Sequence, residues 1–270
     1  MSDADKVFSG SIPGLYETYL VPLIFETYAD DIKNRLASRR PTRVLETAAG
    51  TGVVTRALAG IMGKNGSIIA TDLNQAMLDT AATLQTDHQV EWKQADAMAL
   101  PYEDATFDAV VCQFGVMFFP DKVRAYAEAH RVLKPGGVFI FNVWDRISEN
   151  DFADTITTAL EAMFPADPPK FLARTPYGYY DQDIIRHELN GGGFGKPVQI
   201  TTVTARSHAP SGQEPAIAYC QGTPLRNEIE LRGAARLGEA TDAAAAAIEK
   251  RFGPGPIDGK IQGLVVTAEK

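Results

Sequence analysis

The chain has 270 residues, about twice the length that serves as a soft prior for one domain, so it is one large α/β domain or a core carrying substantial insertions. Hydrophobic residues make up 45% and charged residues 22%, which excludes a disordered, collagen-like or disulfide-scaffold chain. Acidic residues outnumber basic ones by 34 to 26, a net charge of −8, and the resulting field repels phosphate backbones, so nucleic acid is not the expected partner.

Cys112 and Cys220 stand far apart and match no metal-ligand spacing, which fits a reducing compartment and leaves no metal expected. The start MSDADKVFSG lacks the charged, apolar and small-residue segments of a signal peptide, and no apolar run is long enough to span a bilayer. The expectation is a cytoplasmic protein with no membrane partner.

From Leu15 to Leu36 the apolar residues fall at helical spacing, with Pro22 as the expected break between two helices, and residues 1–40 read as a helical cap. The core, residues 41–145, opens with a buried strand from Arg43 to Ala48 and a helix starting near Gly52. Strand and helix then alternate: strand Ser67–Asp72, helix Gln75–Leu84, strand Gln89–Lys93, strand Phe107–Cys112, helix Asp121–Leu133 and strand Gly137–Val143. This alternation predicts an α/β fold, a mostly parallel sheet with helices on both faces. An aromatic and proline-rich first insertion occupies residues 146–180. A helix Asp181–Leu189 and a strand Val198–Thr204 lie in the segment 181–206, a helical second insertion fills 207–258, and a last strand Gly263–Ala268 lies in 259–270.

The densest chemical signal is VLETAAGTG, Val44 to Gly52. Small residues at Ala48, Ala49, Gly50 and Gly52, with Thr51 between the glycines, let a ligand approach the backbone, and the following helix offers free N–H groups. The stretch Gly50 to Thr55 nearly matches the dinucleotide fingerprint, but its sixth position, which should be small, is Thr55. Glu46 adds a negative charge where a phosphate loop gains nothing from one, so the ligand end facing this loop is expected to be cationic. Asp72 closes the second strand where a carboxylate can accept both hydroxyls of a ribose, and Asp96 follows the third strand, placed to accept from an adenine amine. Singly, each acid would serve as a strand-end or capping carboxylate; together they describe an amine, a ribose and an adenine in a row.

In these residues the sequence resembles the class I S-adenosylmethionine-dependent methyltransferases, in particular the ubiquinone and menaquinone biosynthesis methyltransferase-like branch (methyltransferase domain 11). The resemblance runs from about Arg43 to Val143 and rests on Glu46 to Gly52, Asp72, Asp96, the FDAV of Phe107 to Val110, and the RVLKPGG of Arg131 to Gly137. It implies a Rossmann-like sheet of seven strands with the last antiparallel, S-adenosylmethionine as cofactor and S-adenosylhomocysteine as product. It also implies roles by position: Leu73 and Met77 packing on adenine or ribose, Ala97 offering its backbone N–H to the ring, and Gln113 facing the methionine moiety. The chain departs from the family at its first glycine, which is Ala48 here; an alanine keeps the turn if its φ is negative.

Both insertions are expected to form a lid, and the aromatics Tyr16, Tyr19, Phe114, Phe118, Tyr177 and Tyr180, with Met117, are candidate walls for a small, partly hydrophobic or aromatic methyl acceptor. A general base is not distinguished among His208, His187, Tyr177, Tyr180 and Asp145. The reading is a methyltransferase acting on a small molecule by in-line displacement, as a monomer or homodimer. Its alternatives are a non-catalytic S-adenosylmethionine-binding regulatory protein and an NAD-dependent oxidoreductase.

Overall fold

A computed structural model describes residues 3–84, 86 and 88–270; the first two residues of the MSDADKVFSG start lie outside it. The strands are β1 (Arg43–Thr47), β2 (Ser67–Asp72), β3 (Val90–Gln94), β4 (Phe107–Gln113), β5 (Leu133–Trp144), β6 (Gln199–Ala209) and β7 (Ile257–Glu269). They form one sheet in the order β3-β2-β1-β4-β5-β7-β6. The first five pair in parallel. β7 runs against β5, since Gly136 N–H donates to Lys270 O at one end and Asp145 N–H to Gln262 O at the other. β6 opposes β7, with Thr204 bonded to Gln262 and Arg206 to Asp258.

The helices are α1 (Ile12–Leu15), α2 (Glu26–Ala37), α3 (Val53–Ala59), α4 (Gln75–Thr83), α5 (Lys122–Val132), α6 (Asp151–Met163), α7 (Phe171–Arg174), α8 (Gln182–Gly191), α9 (Gln213–Gln221), α10 (Leu225–Leu231) and α11 (Arg236–Phe252). Two compact units result, one comprising residues 26–143, 180–202 and 264–270, the other residues 1–25, 144–179 and 203–263.

In the first unit the central strands are apolar on both faces, as strands covered twice must be: Val44, Leu45, Val110, Val111 and Ile140 are inaccessible. α5 buries Ala125, Tyr126, Ala129 and Val132, a helical stripe. Tyr126 stacks on Phe141 at 5.4 Å, and Phe194 stacks on Phe139 at 5.8 Å. Two motif residues prove to be scaffold. Asp108 accepts the Thr42 and Arg43 N–H groups, the Thr42 hydroxyl and the Lys134 ammonium, and its carboxyl is held far below the ordinary range although partial burial works against this. Arg131 donates to Glu128, Asp104 and the carbonyls of Leu100 and Tyr102, pinning the connection that leads into β4.

In the second unit Trp144 lies against Phe25 and Tyr177, Tyr16 stacks on Phe25 at 5.1 Å, and the Tyr177 and Tyr219 hydroxyls meet at 3.1 Å. Arg174 clamps the buried Asp5 at 2.6 Å and Glu228 at 2.7 Å. The inaccessible Asn150 accepts from Gln262 N and donates to the Arg146 and Gln262 carbonyls.

Three expectations change. Pro22 does not break the N-terminal helix: Tyr16–Phe25 is π-helical and continues into α2, because the wider turn tolerates a ring that has no N–H to donate. The segment Lys134 to Gly137 is an irregularity inside β5, with Gly136 at φ +79°, and the strand starts at Leu133. β6 and β7 extend well beyond Val198–Thr204 and Gly263–Ala268, because their alternating exposed polar residues read as insertion.

Candidate functional site

The strand order reverses between β1 and β4, which opens a crevice beyond their carboxyl ends. In parallel pairing, registered residues point to the same face. Glu46 registers with Ala70 and Val111, Val111 with Ile140, and Gln113 with Asn142. Asp72, Glu46, Gln113 and Asn142 therefore share one face near the carboxyl ends of β2, β1, β4 and β5. They are 7%, 1%, 9% and 0% exposed, and four polar side chains buried in one row of an apolar sheet call for a chemical reason.

Glu46 receives a hydrogen bond from the Thr55 hydroxyl on α3, and the Thr71 hydroxyl donates to its carbonyl at 3.0 Å. Burial, opposed by the Thr55 bond and by Arg56, pushes the Glu46 carboxyl up to about 8. Thr55 breaks the small-residue rule of the fingerprint because it is the partner of this acid.

Asp72 Oδ2 accepts the Gly50 N–H at 2.8 Å and Oδ1 accepts the Asn74 N–H at 2.8 Å. Burial raises its pKa against these bonds. A carboxylate offers about four acceptor positions, so Asp72 holds the loop and keeps capacity for a ligand hydroxyl. The loop is also tied by Ala49 N–H to Thr71 O, 2.9 Å, and by Gly52 N–H to Ala49 O, 2.9 Å. Gly52, at φ +83°, has no room for a side chain: a Cβ there would stand 2.6 Å from the Trp92 ring.

Ala48 departs from expectation, for its φ is +52°. The loop bonds at Ala49 and Gly50 fix the backbone, and alanine accepts the left-handed conformation at a cost of roughly 1 kcal/mol. Its methyl group fits because residue 115 is glycine: a Cβ at Gly115 would lie 2.4 Å from Ala48 Cβ and 2.7 Å from Cys112 Sγ.

At the β3 end, Ala95 N–H donates to Asp72 O at 3.0 Å, which brings the Asp96 loop beside the Asp72 loop. Asp96 Oδ1 accepts the Met98 N–H at 2.8 Å, and Ala97 is half-buried in the same turn. Leu73 is 48% exposed, an apolar side chain left in solvent beside Asp72, whereas Met77 on α4 is buried. The sequence-selected residues Glu46, Ala48 to Gly52, Asp72, Leu73, Asp96, Ala97 and Gln113 are thus gathered on the adjoining carboxyl ends of β1 to β4.

Residues 45–141 match the family model described as methyltransferase domain. These residues form a methyltransferase domain.

A ubiquinone/menaquinone biosynthesis C-methyltransferase of Teredinibacter turnerae is 28% identical over 214 residues, 71% of this chain and 78% of that protein. The YcgJ protein of Bacillus subtilis shares the fold with a TM-score of 0.57 at 16% identity, covering 90% of this chain and 98% of that one. An arsenic(III) S-adenosylmethionine methyltransferase of Chlamydomonas reinhardtii gives a TM-score of 0.51 at 19% identity, covering 85% and 64%. The methyltransferase domain uses S-adenosylmethionine as cofactor. Its residues fit that molecule: two buried acids suit an ammonium and a ribose, and the buried Thr51 hydroxyl in the loop has no protein partner among the described residues.

The methyltransferase's candidate acceptor residues divide between the units. Phe114, Met117, Phe118 and Tyr180 belong to the unit that holds the domain; Tyr16, Tyr19 and Tyr177 belong to the other. Phe114 and Met117 are buried, with Tyr28 set edge-on to Phe114 at 5.0 Å, and Tyr180 is exposed. Tyr177 is core, paired with Tyr219, whose hydroxyl burial pushes up to about 12. Of the base candidates, His187 and His208 are exposed, and Asp145 accepts from Gln262 and from Arg146 N–H. His130 is packed edge-on to Phe194 at 5.1 Å, and burial lowers its pKa. Sequence reasoning missed Thr55 as the partner of Glu46, and it missed Asn142. The signal for Asn142 was one amide in the apolar run FIFNVW.

Proposed function

We propose that the chain methylates a small, partly hydrophobic or aromatic molecule. The observation that carries this reading is the set of acids at successive strand ends, Glu46, Asp72 and Asp96, joined by backbone bonds into one edge. In this reading Asp72 accepts the ribose hydroxyls, Asp96 the adenine amine and Ala97 N–H the ring, while exposed Leu73, backed by Met77, covers an adenosine face. Ala48 to Gly52 form the close wall of the loop, Glu46 faces the ammonium end, and Gln113 faces the methionine chain. S-adenosylmethionine held by these residues would supply an electrophilic methyl group for in-line transfer to the acceptor, the methyl–sulfur bond breaking as S-adenosylhomocysteine leaves.

The chain's own contribution is positioning and exclusion of water, which supply much of the effect in a transfer between two held partners. Phe114, Met117 and Phe118, on the segment leaving β4, provide apolar surface for the acceptor, and Tyr180 of the same unit extends that candidate set. The carbon methylation named for the curated relatives supports an acceptor with a nucleophilic, conjugated ring.

The test is a thermal-shift titration with S-adenosylmethionine, S-adenosylhomocysteine and NAD. The two sulfur ligands, at a hundred times their dissociation constants, are expected to add about 2.7 kcal/mol of stability, and NAD none. Asp72→Asn is expected to weaken S-adenosylhomocysteine binding at least tenfold. Stabilisation by NAD alone would overturn the assignment. A screen of hydrophobic phenols, acids and quinone-like compounds, read by formation of S-adenosylhomocysteine, then identifies the acceptor class.

A further inference from the structure

Asn142 has no place in a packing account of β5. It stands between the inaccessible Phe141 and Val143 and is itself inaccessible, so its amide is fully removed from water. One half of that amide has a clear task. The Phe114 N–H donates to Asn142 Oδ1 at 2.8 Å and more weakly to the Asn142 carbonyl at 3.2 Å. This bond holds Phe114 at φ +48°, a conformation uncommon for a bulky residue. Because an N–H faces that atom, it is the oxygen, and the orientation of the amide is fixed by its network.

The other half, the Nδ2 group, has no acceptor among the described residues. A fully buried amide N–H2 left unpaired costs free energy, and such a group calls for a partner. The row Asp72, Glu46, Gln113, Asn142 runs across the face from two acids to two amides. Three interstrand spacings of about 4.8 Å carry it roughly 14 Å from β2 to β5. An extended ligand with its ribose at Asp72 and its ammonium near Glu46 carries a carboxylate on the same carbon as that ammonium. The Asp72 carboxylate repels it and the buried, protonated Glu46 brings no cation to hold it, so it is directed toward the end of the row where neutral amides can donate.

We infer that Asn142 Nδ2 donates a hydrogen bond to the amino-acid carboxylate of the methyl donor, while Asn142 Oδ1 holds the turn at Phe114. This rests on the cofactor assignment above and adds β5 to the binding edge. Asn142 is thereby the residue that distinguishes donor-type ligands with an amino-acid end from adenosyl thioethers without one.

The test is calorimetric titration of the whole chain with S-adenosylhomocysteine and with 5′-methylthioadenosine, which keeps the adenosine and thioether but has no amino-acid end. Two variants are compared with the unaltered protein. Asn142→Asp keeps an oxygen for the Phe114 N–H and replaces the donor by an acceptor; Asn142→Ser removes the amide's donor and acceptor together. Both are expected to lose at least tenfold in S-adenosylhomocysteine affinity and to stay within twofold for 5′-methylthioadenosine, whose binding also reports that the fold is intact. Equal losses for the two compounds would show that Asn142 serves only the turn, and no loss for either would show that it touches no ligand; each result overturns the inference. If the unaltered protein binds both compounds equally well, this inference fails while the cofactor assignment stands. If it binds neither, both fail together.

Discussion

The site in one unit and the frame of the other are closed by contacts of different reach. In the unit that holds the methyltransferase domain, the site is closed by partners near in sequence: Thr55 to Glu46 across 9 residues, Gly50 to Asp72 across 22, and Asn74 to Asp72 and Met98 to Asp96 across 2. The other unit is closed by distant ones: Arg174 to Asp5 across 169 residues, Asn150 to Gln262 across 112, and Ser207 to Leu23 across 184. Short-range closure leaves a motif that can be read along the chain. Long-range closure leaves only isolated polar residues whose partners are hidden.

The sharpest way to break the short-range half is at its tightest approach. Gly115→Ala is expected to destabilise the protein by about 3 kcal/mol, the upper range for overpacking, because the new methyl group meets Ala48 Cβ and Cys112 Sγ. Combining it with Ala48→Gly should recover part of that loss, and denaturant melts of the four proteins in the cycle measure the coupling. Purely additive losses would mean that the contact between the two positions is not the cause.

The long-range half is tested at Arg174. Arg174→Ala leaves the buried Asp5 without its guanidinium, and a loss of about 2 kcal/mol is expected in the same melts, the worth of hydrogen bonds to a charged group. Retention of full stability would show that the partners Asp5 keeps, Thr175 at 2.8 Å among them, are sufficient.

A smaller effect separates the two kinds of acid. The Glu46 carboxyl is raised from 4.5 to about 8, chiefly by burial. The folded chain therefore holds its proton where the unfolded chain has released it. The stability this proton contributes is complete below about pH 4.5 and is lost as pH rises through about 8. Glu46→Gln keeps an acceptor for Thr55 and removes the titration, so the variant should gain at least about 1.4 kcal/mol, the worth of one pKa unit, over the unaltered protein at pH 8. Parallel melting-temperature profiles from pH 5 to pH 8 would contradict the shift.

The same contrast explains what could be read beforehand. β2 and α4 were legible because an apolar strand, an acid and a helix follow within a few residues, and Glu46, Asp72 and Asp96 were legible because each ends such a strand. The left-handed Ala48 was not, because that conformation is imposed by bonds to β2 that the local sequence does not contain. Asn142 was hidden for a related reason: its meaning depends on Gln113 in the neighbouring strand, 29 positions away. The long β6 and β7 were hidden because a half-exposed strand alternates polar and apolar residues much as an insertion can.

The close approach of Ala48 to Gly115 constrains the routes by which such a chain can change. The two positions cannot both carry a methyl group without a shift, and Cys112 Sγ, 2.7 Å from a methyl group at 115, narrows the same space further. A lineage that acquires alanine at 48 must already have glycine at 115, and afterwards the second glycine can no longer be exchanged. The order of substitutions is thus imposed by a gap smaller than one atom, and the alanine that looks like a lapse from the motif commits a residue 67 positions away.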